Sequence, residues 1–136
     1  MKRELFDNIM VIANASGAVV DREGFLSAVF AADVGSFTGE PTGATLSIKV
    51  EHCDTDSGSF EAVPDPKLDP EHTATDGVLP VAAVSDGDAV QFNLDLLGCK
   101  RYIKVTPTIS FEGGSSPAAS AAAYALVLGD PAEAPV

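Results

Sequence analysis

The chain has 136 residues, enough for one domain built around a single hydrophobic core. Asp and Glu total 20 against 8 Lys and Arg, which gives a formal net charge of -12. A surface with this balance repels phosphate backbones and anionic lipids, so we expect neither nucleic acid nor a membrane as a partner. Lys100, Arg101 and Lys104 lie within five positions, and Lys2 and Arg3 are adjacent at the start, so a local basic patch could still meet an acidic protein surface.

The cysteines and the first residues indicate a protein made in a reducing cytoplasm. Cys53 and Cys99 are too few for a disulfide scaffold and lack the close spacing of a zinc site. We therefore favour two small core residues over a disulfide. Glu4 and Asp7 interrupt the apolar stretch that a signal peptide would need, and no later run is long enough to span a membrane.

The N-terminal half predicts strands. Residues 1–12 are expected to form an arm or the first strand, followed by a β-sandwich domain over residues 13–129. The segment from Phe25 to Val34 is apolar on both alternating faces, which predicts a strand covered on both sides. Leu46, Ile48 and Val50 alternate with polar residues and predict a strand with one buried face.

A hairpin and a loop are expected next. The Leu46–Val50 strand leads through the polar stretch 54–59 to Phe60 and Val63, so a turn and a second strand should follow it. Residues 64–77 carry three prolines and several acids, which is typical of an exposed loop.

Two alternating runs form the clearest signal in the C-terminal half. The first has Val90, Phe92, Leu94 and Leu96 on its apolar face, and the second has Ile103, Val105, Pro107, Ile109 and Phe111. With Gly98 between them, the runs predict an antiparallel hairpin. Proline cannot donate to a sheet, so Pro107 indicates an edge position or a bulge.

The last apolar stretch is open to two interpretations. Ser116, Pro117 and Gly129 would suit the start and the end of an alanine-rich helix. The compact apolar run Tyr124 to Leu128 follows a flexible Gly-Gly-Ser-Ser connection, and the other elements are strands, so we favour a final strand. Residues 130–136 are expected to be a disordered tail.

Seven or eight short strands separated by turn signals predict an all-β protein, an antiparallel β-sandwich. The sequence lacks the Cys, Trp, Cys pattern of immunoglobulin domains. A jelly roll is therefore preferred to an immunoglobulin-like sandwich.

Acidic clusters give no convincing metal site. Asp54, Asp56 and Gly58 resemble the start of a calcium loop, but the glycine stands one position early and no glutamate follows at the required offset, so a turn is expected. The acids of the proline-rich segment are also expected to be solvated loop residues: Asp65, Asp69 and Glu71.

No catalytic constellation is present in the sequence. His52 continues the inward register of Ile48 and Val50, so we expect a hydrogen-bonded residue near a strand end, and His72 should be a loop residue. There is no nucleophile elbow and no phosphate-binding glycine motif. We expect no enzyme and no cofactor. A soluble ligand-binding module of carbohydrate-binding type is the alternative, although Tyr102 is a poor aromatic platform.

Two long segments, 24–63 and 96–131, resemble the small capsid decoration, or cement, proteins encoded beside the major capsid protein in tailed bacteriophages. The likeness lies in the strand followed by the Asp-x-Asp-Ser-Gly turn and Phe60, in the strand entry from Gly98 to Val105, and in the small-residue ending before Gly129.

The resemblance implies a structural virion protein on the exterior of an HK97-type capsid, made in the bacterial host cytoplasm. It would bind the major capsid protein and itself, as a homodimer rather than a trimer, and would bridge neighbouring capsid subunits. The N-terminal segment is the expected attachment arm, with two basic residues beside four apolar anchors: Lys2, Arg3, Leu5, Phe6, Ile9 and Met10.

Overall fold

The computed structural model describes residues 8–63, 78–96 and 98–131. Its regular elements are eleven β-strands, and the fold is all-β. The strands are β1 (Met10–Ala13), β2 (Val19–Asp21), β3 (Phe25–Asp33), β4 (Phe37–Thr38), β5 (Gly43–Cys53), β6 (Glu61–Ala62), β7 (Val78–Ala83), β8 (Ala89–Asp95), β9 (Tyr102–Glu112), β10 (Ala118–Ala119) and β11 (Ala123–Pro131).

The strands form two main antiparallel sheets. Sheet A has the order β1-β11-β3-β8, and sheet B has the order β2-β9-β5-β6, with β7 also pairing with β5. A small ribbon of β4 and β10 lies apart from both. Consecutive long strands mostly belong to different sheets, so most connections carry the chain from one layer to the other, and β5 to β7 are the exception within sheet B.

The core lies between the two sheets. Alternate residues of β3 and β11 in sheet A and of β5 and β9 in sheet B are buried together, which is the arrangement of a β-sandwich. The innermost large side chains come from both layers: Phe30, Phe92, Leu126, Leu128, Leu46, Ile48, Val50 and Ile103. Those that belong to β5, β8 and β9 are inward positions that the period-two pattern predicts.

One predicted pairing is wrong. The runs Val90–Leu96 and Ile103–Phe111 are strands, as expected, but they do not form a hairpin with each other. β8 pairs with β3 in sheet A, and β9 pairs with β2 and β5 in sheet B. The loop around Gly98 therefore crosses between the sheets, and each apolar face packs against the core from an opposite side.

The proline in β9 lies where its missing N–H costs nothing. Pro107 is opposite Ile48 of β5, while β2 pairs only as far as Lys104 on the other side. The carbonyl of Val105 accepts the N–H of Gly17, so the backbone polar groups of Val105 point away from β5. Residues two apart in a strand point the same way, so the nitrogen of Pro107 also points away from β5, to the side where β2 has already ended. The predicted edge position is confirmed locally.

Other expectations have mixed outcomes. The β5–β6 hairpin and the final strand β11 are confirmed. Cys53 and Cys99 form no disulfide, but only Cys99 is buried in the core, and Cys53 is half-buried at the end of β5. β1 spans the expected boundary between residues 12 and 13, and β11 runs two residues past Gly129. The predicted loop 64–77 and the tail residues 132–136 lie outside the described residues.

Candidate functional site

The acidic turn after β5 has a structural role. The carboxylate of Asp54 lies 3.8 Å from the ammonium of Lys100. A Cβ on Gly58 would stand 2.5 Å from Oγ1 of Thr55 and 2.6 Å from Sγ of Cys53, so the turn closes tightly on the glycine. Within the described residues no three His, Cys, Asp or Glu side chains gather as metal ligands. The second acidic group, Asp65, Asp69 and Glu71, and also His72, lie outside those residues.

His52 fixes the loop that crosses between the sheets. Its side chain is only 7% exposed, and its Nδ1 accepts the backbone N–H of Lys100 at 3.1 Å. Burial, followed by the positive charge of Lys100, lowers the pKa of His52, so the ring is neutral at pH 7. This is the hydrogen-bonded residue near a strand end that the sequence predicts.

An arginine supports the same loop from the other side. Arg22 donates from its guanidinium to the carbonyls of Cys99 and Lys100, the latter at 3.0 Å from Nε. The crossing loop is therefore held by His52, which binds the N–H of Lys100, and by Arg22, which binds the carbonyls of Cys99 and Lys100. Its rigidity serves the fold, because these contacts join the end of β2 to the start of β9.

The basic side chains of the patch expected at residues 100–104 have partners within the chain. Arg101 forms two hydrogen bonds to the carboxylate of Asp21, at 2.9 and 3.1 Å, and lies 3.0 Å from Glu23. The hydrogen bond from Arg101 lowers the pKa of Asp21. Lys104 lies over the ring of Phe60, 4.8 Å from its centroid. These cations already have partners, so the patch offers little free positive charge.

The two sandwich faces that point outward differ sharply in chemistry. On sheet B the outward positions of the central strands are hydroxyl and charged residues, namely Thr45, Ser47, Lys49 and Glu51 on β5 and Lys104, Thr106, Thr108 and Ser110 on β9. Such a face is well solvated. It needs no covering partner.

On β1, β11 and β3 of sheet A most of the corresponding positions are small and apolar, whereas those of β8 include Gln91 and Asn93. Val11, Val127 and Val29 form one row across β1, β11 and β3, and Ala13, Ala125 and Ala31 form the next. Val11 is 57% exposed, and Ala13 and Ala31 are exposed. We call the outward side of β1, β11, β3 and β8 the sheet A face.

This face also corrects the sequence-based description of β3. Its second apolar side was expected to be covered, yet Ala31 is exposed and Val29 is half-buried, because the described residues place no layer outside sheet A. The signal that marks the face was present in the sequence. Both alternating sides of β3 and β11 are apolar, whereas a sandwich needs only one buried side.

Two shallow depressions flank the row of valines. One has a volume of about 420 Å³ and is lined by alanines of β3 and β11, with Asp33 and Gln91 as its polar side chains. The other, of about 410 Å³, lies at the opposite end of the strands beside Asn93, Asp95 and Asp130. The sheet A face thus has an apolar centre with carboxylates towards its ends.

Of the expected arm residues, the structure describes two. Ile9 lies over Gly129 at the border of the sheet A face, with its Cγ2 3.7 Å from where a Gly129 Cβ would be. Met10 begins β1 and packs against the core. Sequence reasoning assigned both to one set, but they point to opposite sides. The other expected anchors lie outside the described residues: Lys2, Arg3, Leu5 and Phe6.

Comparison with known proteins identifies no relative of this chain: no family model matches it, and no curated protein or solved structure does. Among the described residues, no helix is both long and apolar enough to cross a lipid bilayer.

Proposed function

We propose that this chain is a structural virion protein that attaches to the outside of an HK97-type phage capsid and stabilises it by bridging neighbouring subunits. The observation that carries the proposal is the sheet A face, an exposed apolar sheet surface on a chain whose other sheet face is polar and ion-paired. Exposed contiguous apolar surface of this kind typically marks a protein-binding site. The resemblance to decoration proteins supplies the capsid as the partner.

The strand orders support a jelly roll, the topology proposed for this protein. Three strands, β4, β6 and β10, have only two residues each. If these are left out, the other eight (β1, β2, β3, β5, β7, β8, β9 and β11) can be renumbered 1 to 8 in chain order. Sheet A then reads 1-8-3-6, and sheet B reads 2-7-4-5 with β7 as the outer strand. Two interlocking four-stranded sheets with this alternation are what a jelly roll of two Greek keys requires.

Stabilisation by such a protein needs no chemistry. A clamp that binds the expanded lattice and not the separated subunits lowers the free energy of the lattice by mass action. Many weak copies suffice, because each copy that contacts two subunits makes the second contact intramolecular. We propose a homodimer as the working form, which doubles the number of contacts per particle.

A ligand-binding module is the less suitable alternative. The depression on the sheet A face beside Asp33 and Gln91 is lined mostly by alanines. A sugar site usually presents an aromatic ring for stacking. Tyr124 also lines this depression, but it is half-buried, packs against the core and stacks on Phe30 with the ring centroids 5.9 Å apart.

Cosedimentation with capsid shells tests the proposal. Empty expanded shells of the major capsid protein from the same phage should retain the full-length protein and become more resistant to heat, while unexpanded shells should retain less. Deleting residues 1–7 removes none of the described strands, and it should weaken binding if the N-terminal segment is an attachment arm. Equal binding by both forms would remove the arm from the proposal. Failure of the full-length protein to bind its own shell would refute the function.

A further inference from the structure

We infer that the sheet A face is the surface that docks on the capsid, and that the capsid surface it meets has an apolar centre flanked by Lys or Arg side chains. This inference rests on the proposed function and deepens it. Three features of the described chain support it: the shape of the face, the distribution of charge, and the charges that a second copy of this chain would present.

The centre of the face is flat and built from short side chains. The valine row and the alanine row lie side by side on three adjacent strands, at the strand spacing of about 4.8 Å. Short side chains lose little conformational entropy when they are covered. A partner can therefore approach the sheet closely over β1, β11 and β3.

Charge is segregated between the two sheets. All the basic residues that the structure describes lie on sheet B or in the loops that lead to and from it: Arg22, Lys49, Lys100, Arg101 and Lys104. The charged residues on the strands of sheet A are acidic: Asp33, Asp95 and Asp130. The sheet A face thus carries described charge of one sign only, on a chain whose net charge is already -12.

A second copy of the chain is a poor occupant of this face. Asp33 lies towards one end of the strands, and Asp95 and Asp130 lie towards the other. If two copies packed these faces together about a two-fold axis along the strands, each end would meet the same end of the other copy. If the axis ran across the strands, each end would meet the opposite end. Because both ends carry acids, acids would face acids in either case. Asp33 and Asp130, one at each end, suffice for this repulsion, and none of the described basic residues lies on the strands of the face. A heterologous surface with basic side chains around an apolar centre satisfies both features.

The size of the face predicts how tightly one copy binds. Four strands at about 4.8 Å and about seven residues at about 3.4 Å give a footprint on the order of 450 Å². A stable complex typically buries about 800 Å² on each partner. One face alone should therefore bind weakly, and firm attachment should require a second contact from a dimer or from the N-terminal segment.

The test uses matched lysine substitutions on the two outer faces. Val11→Lys and Val29→Lys place a cation within the sheet A face, on an edge strand and on an inner strand. Thr108→Lys places the same cation at an exposed position on the polar face of sheet B. Urea denaturation of each variant confirms that it is folded before binding is measured, and Val11→Lys serves if Val29→Lys is unstable.

Binding to expanded shells is measured by cosedimentation between about 50 and about 500 mM NaCl, a range over which exposed charge interactions are progressively screened. Both valine variants should bind about tenfold or more weakly, while Thr108→Lys should bind as the unmodified protein does. Binding of the unmodified protein should weaken as salt rises. Asp33→Asn with Asp130→Asn should bind more weakly at low salt and respond less to salt.

The outcomes separate this inference from the proposed function. If the unmodified protein binds shells but the valine variants bind equally well, the docking face is wrong and the function stands. Stronger binding at high salt would overturn the basic partner surface. Sedimentation velocity adds a further check: loss of self-association in Val29→Lys would make this face the interface between copies and overturn the inference. If the unmodified protein binds no shell, the function fails and the inference with it.

Discussion

Replacing His52 with leucine should destabilise the protein by leaving the backbone N–H of Lys100 without its acceptor. That bond is 3.1 Å long, and the ring is 7% exposed, so water cannot readily take the place of Nδ1. An intramolecular hydrogen bond contributes about 1 kcal/mol net, and an orphaned buried donor costs about 1–3 kcal/mol. Leucine recovers part of this loss through apolar burial. We therefore expect a loss of about 1–2 kcal/mol.

The assay is urea denaturation at about pH 7.5. For a urea dependence of about 2 kcal/mol per molar, this loss lowers the midpoint by about 0.5–1 M. His52→Asn is the matched control, since its Oδ1 can take the position of Nδ1 and accept the same N–H. The asparagine variant should retain more stability than the leucine variant. If leucine is as stable as histidine, or if asparagine loses as much as leucine, the bond does not hold the loop.

The same residue predicts a pH dependence. Burial and Lys100 lower the pKa of folded His52 below its ordinary value of 6.5, with Arg22 acting in the same direction and Glu61 and Asp54 opposing it. As the pH falls, the unfolded chain therefore binds a proton first. The contribution of His52 to stability is complete above about pH 6.5 and is lost progressively between that value and the folded pKa. Relative to His52→Asn, the unmodified protein should lose stability between pH 7.5 and about 5.5.

Three further outcomes are expected. Ile103→Asp places a carboxylate at a fully buried position and should cost more than about 4 kcal/mol or prevent folding, whereas Thr108→Asp on the exposed side should change the urea midpoint little; similar losses would contradict the strand register. Gly58→Ala should lower the melting temperature, because its Cβ would collide with Thr55 and Cys53; an unchanged value would show that the turn relaxes freely. Chelator treatment should leave the melting temperature unchanged, and a drop restored by calcium would replace the turn with a metal site.

Local pattern predicted the strands well because burial on one side of a sheet imposes a period of two. The inward positions of β5 and β9 follow from alternation alone, and Ile48 and Ile103 are fully buried as expected. The pairing between strands could not be predicted in this way. β8 and β9 are adjacent in sequence and both amphipathic, which fits a hairpin as well as it fits two facing sheets. The choice depends on partners far away in the chain, β3 and β5, and no local pattern records it.

The candidate face was only half visible in the sequence. The apolar outward positions of β3 and β11 were apparent, but a strand that is apolar on both sides is typical of one covered by other layers on both faces. Exposure follows only when β1, β11 and β3 lie side by side and nothing described covers them. The partners of the basic patch could not be seen in the sequence for a related reason, since the carboxylates that pair with Arg101 come from β2 and its turn, about 80 positions earlier.

Attachment of this protein to the outside of a capsid is tested most directly by electron cryomicroscopy of expanded shells incubated with the unmodified protein. The expected map has additional density on the exterior, of the size of one β-sandwich per copy, spanning neighbouring capsid subunits. Bare shells at saturating concentrations of the protein, or density confined to the interior, would contradict the proposed function.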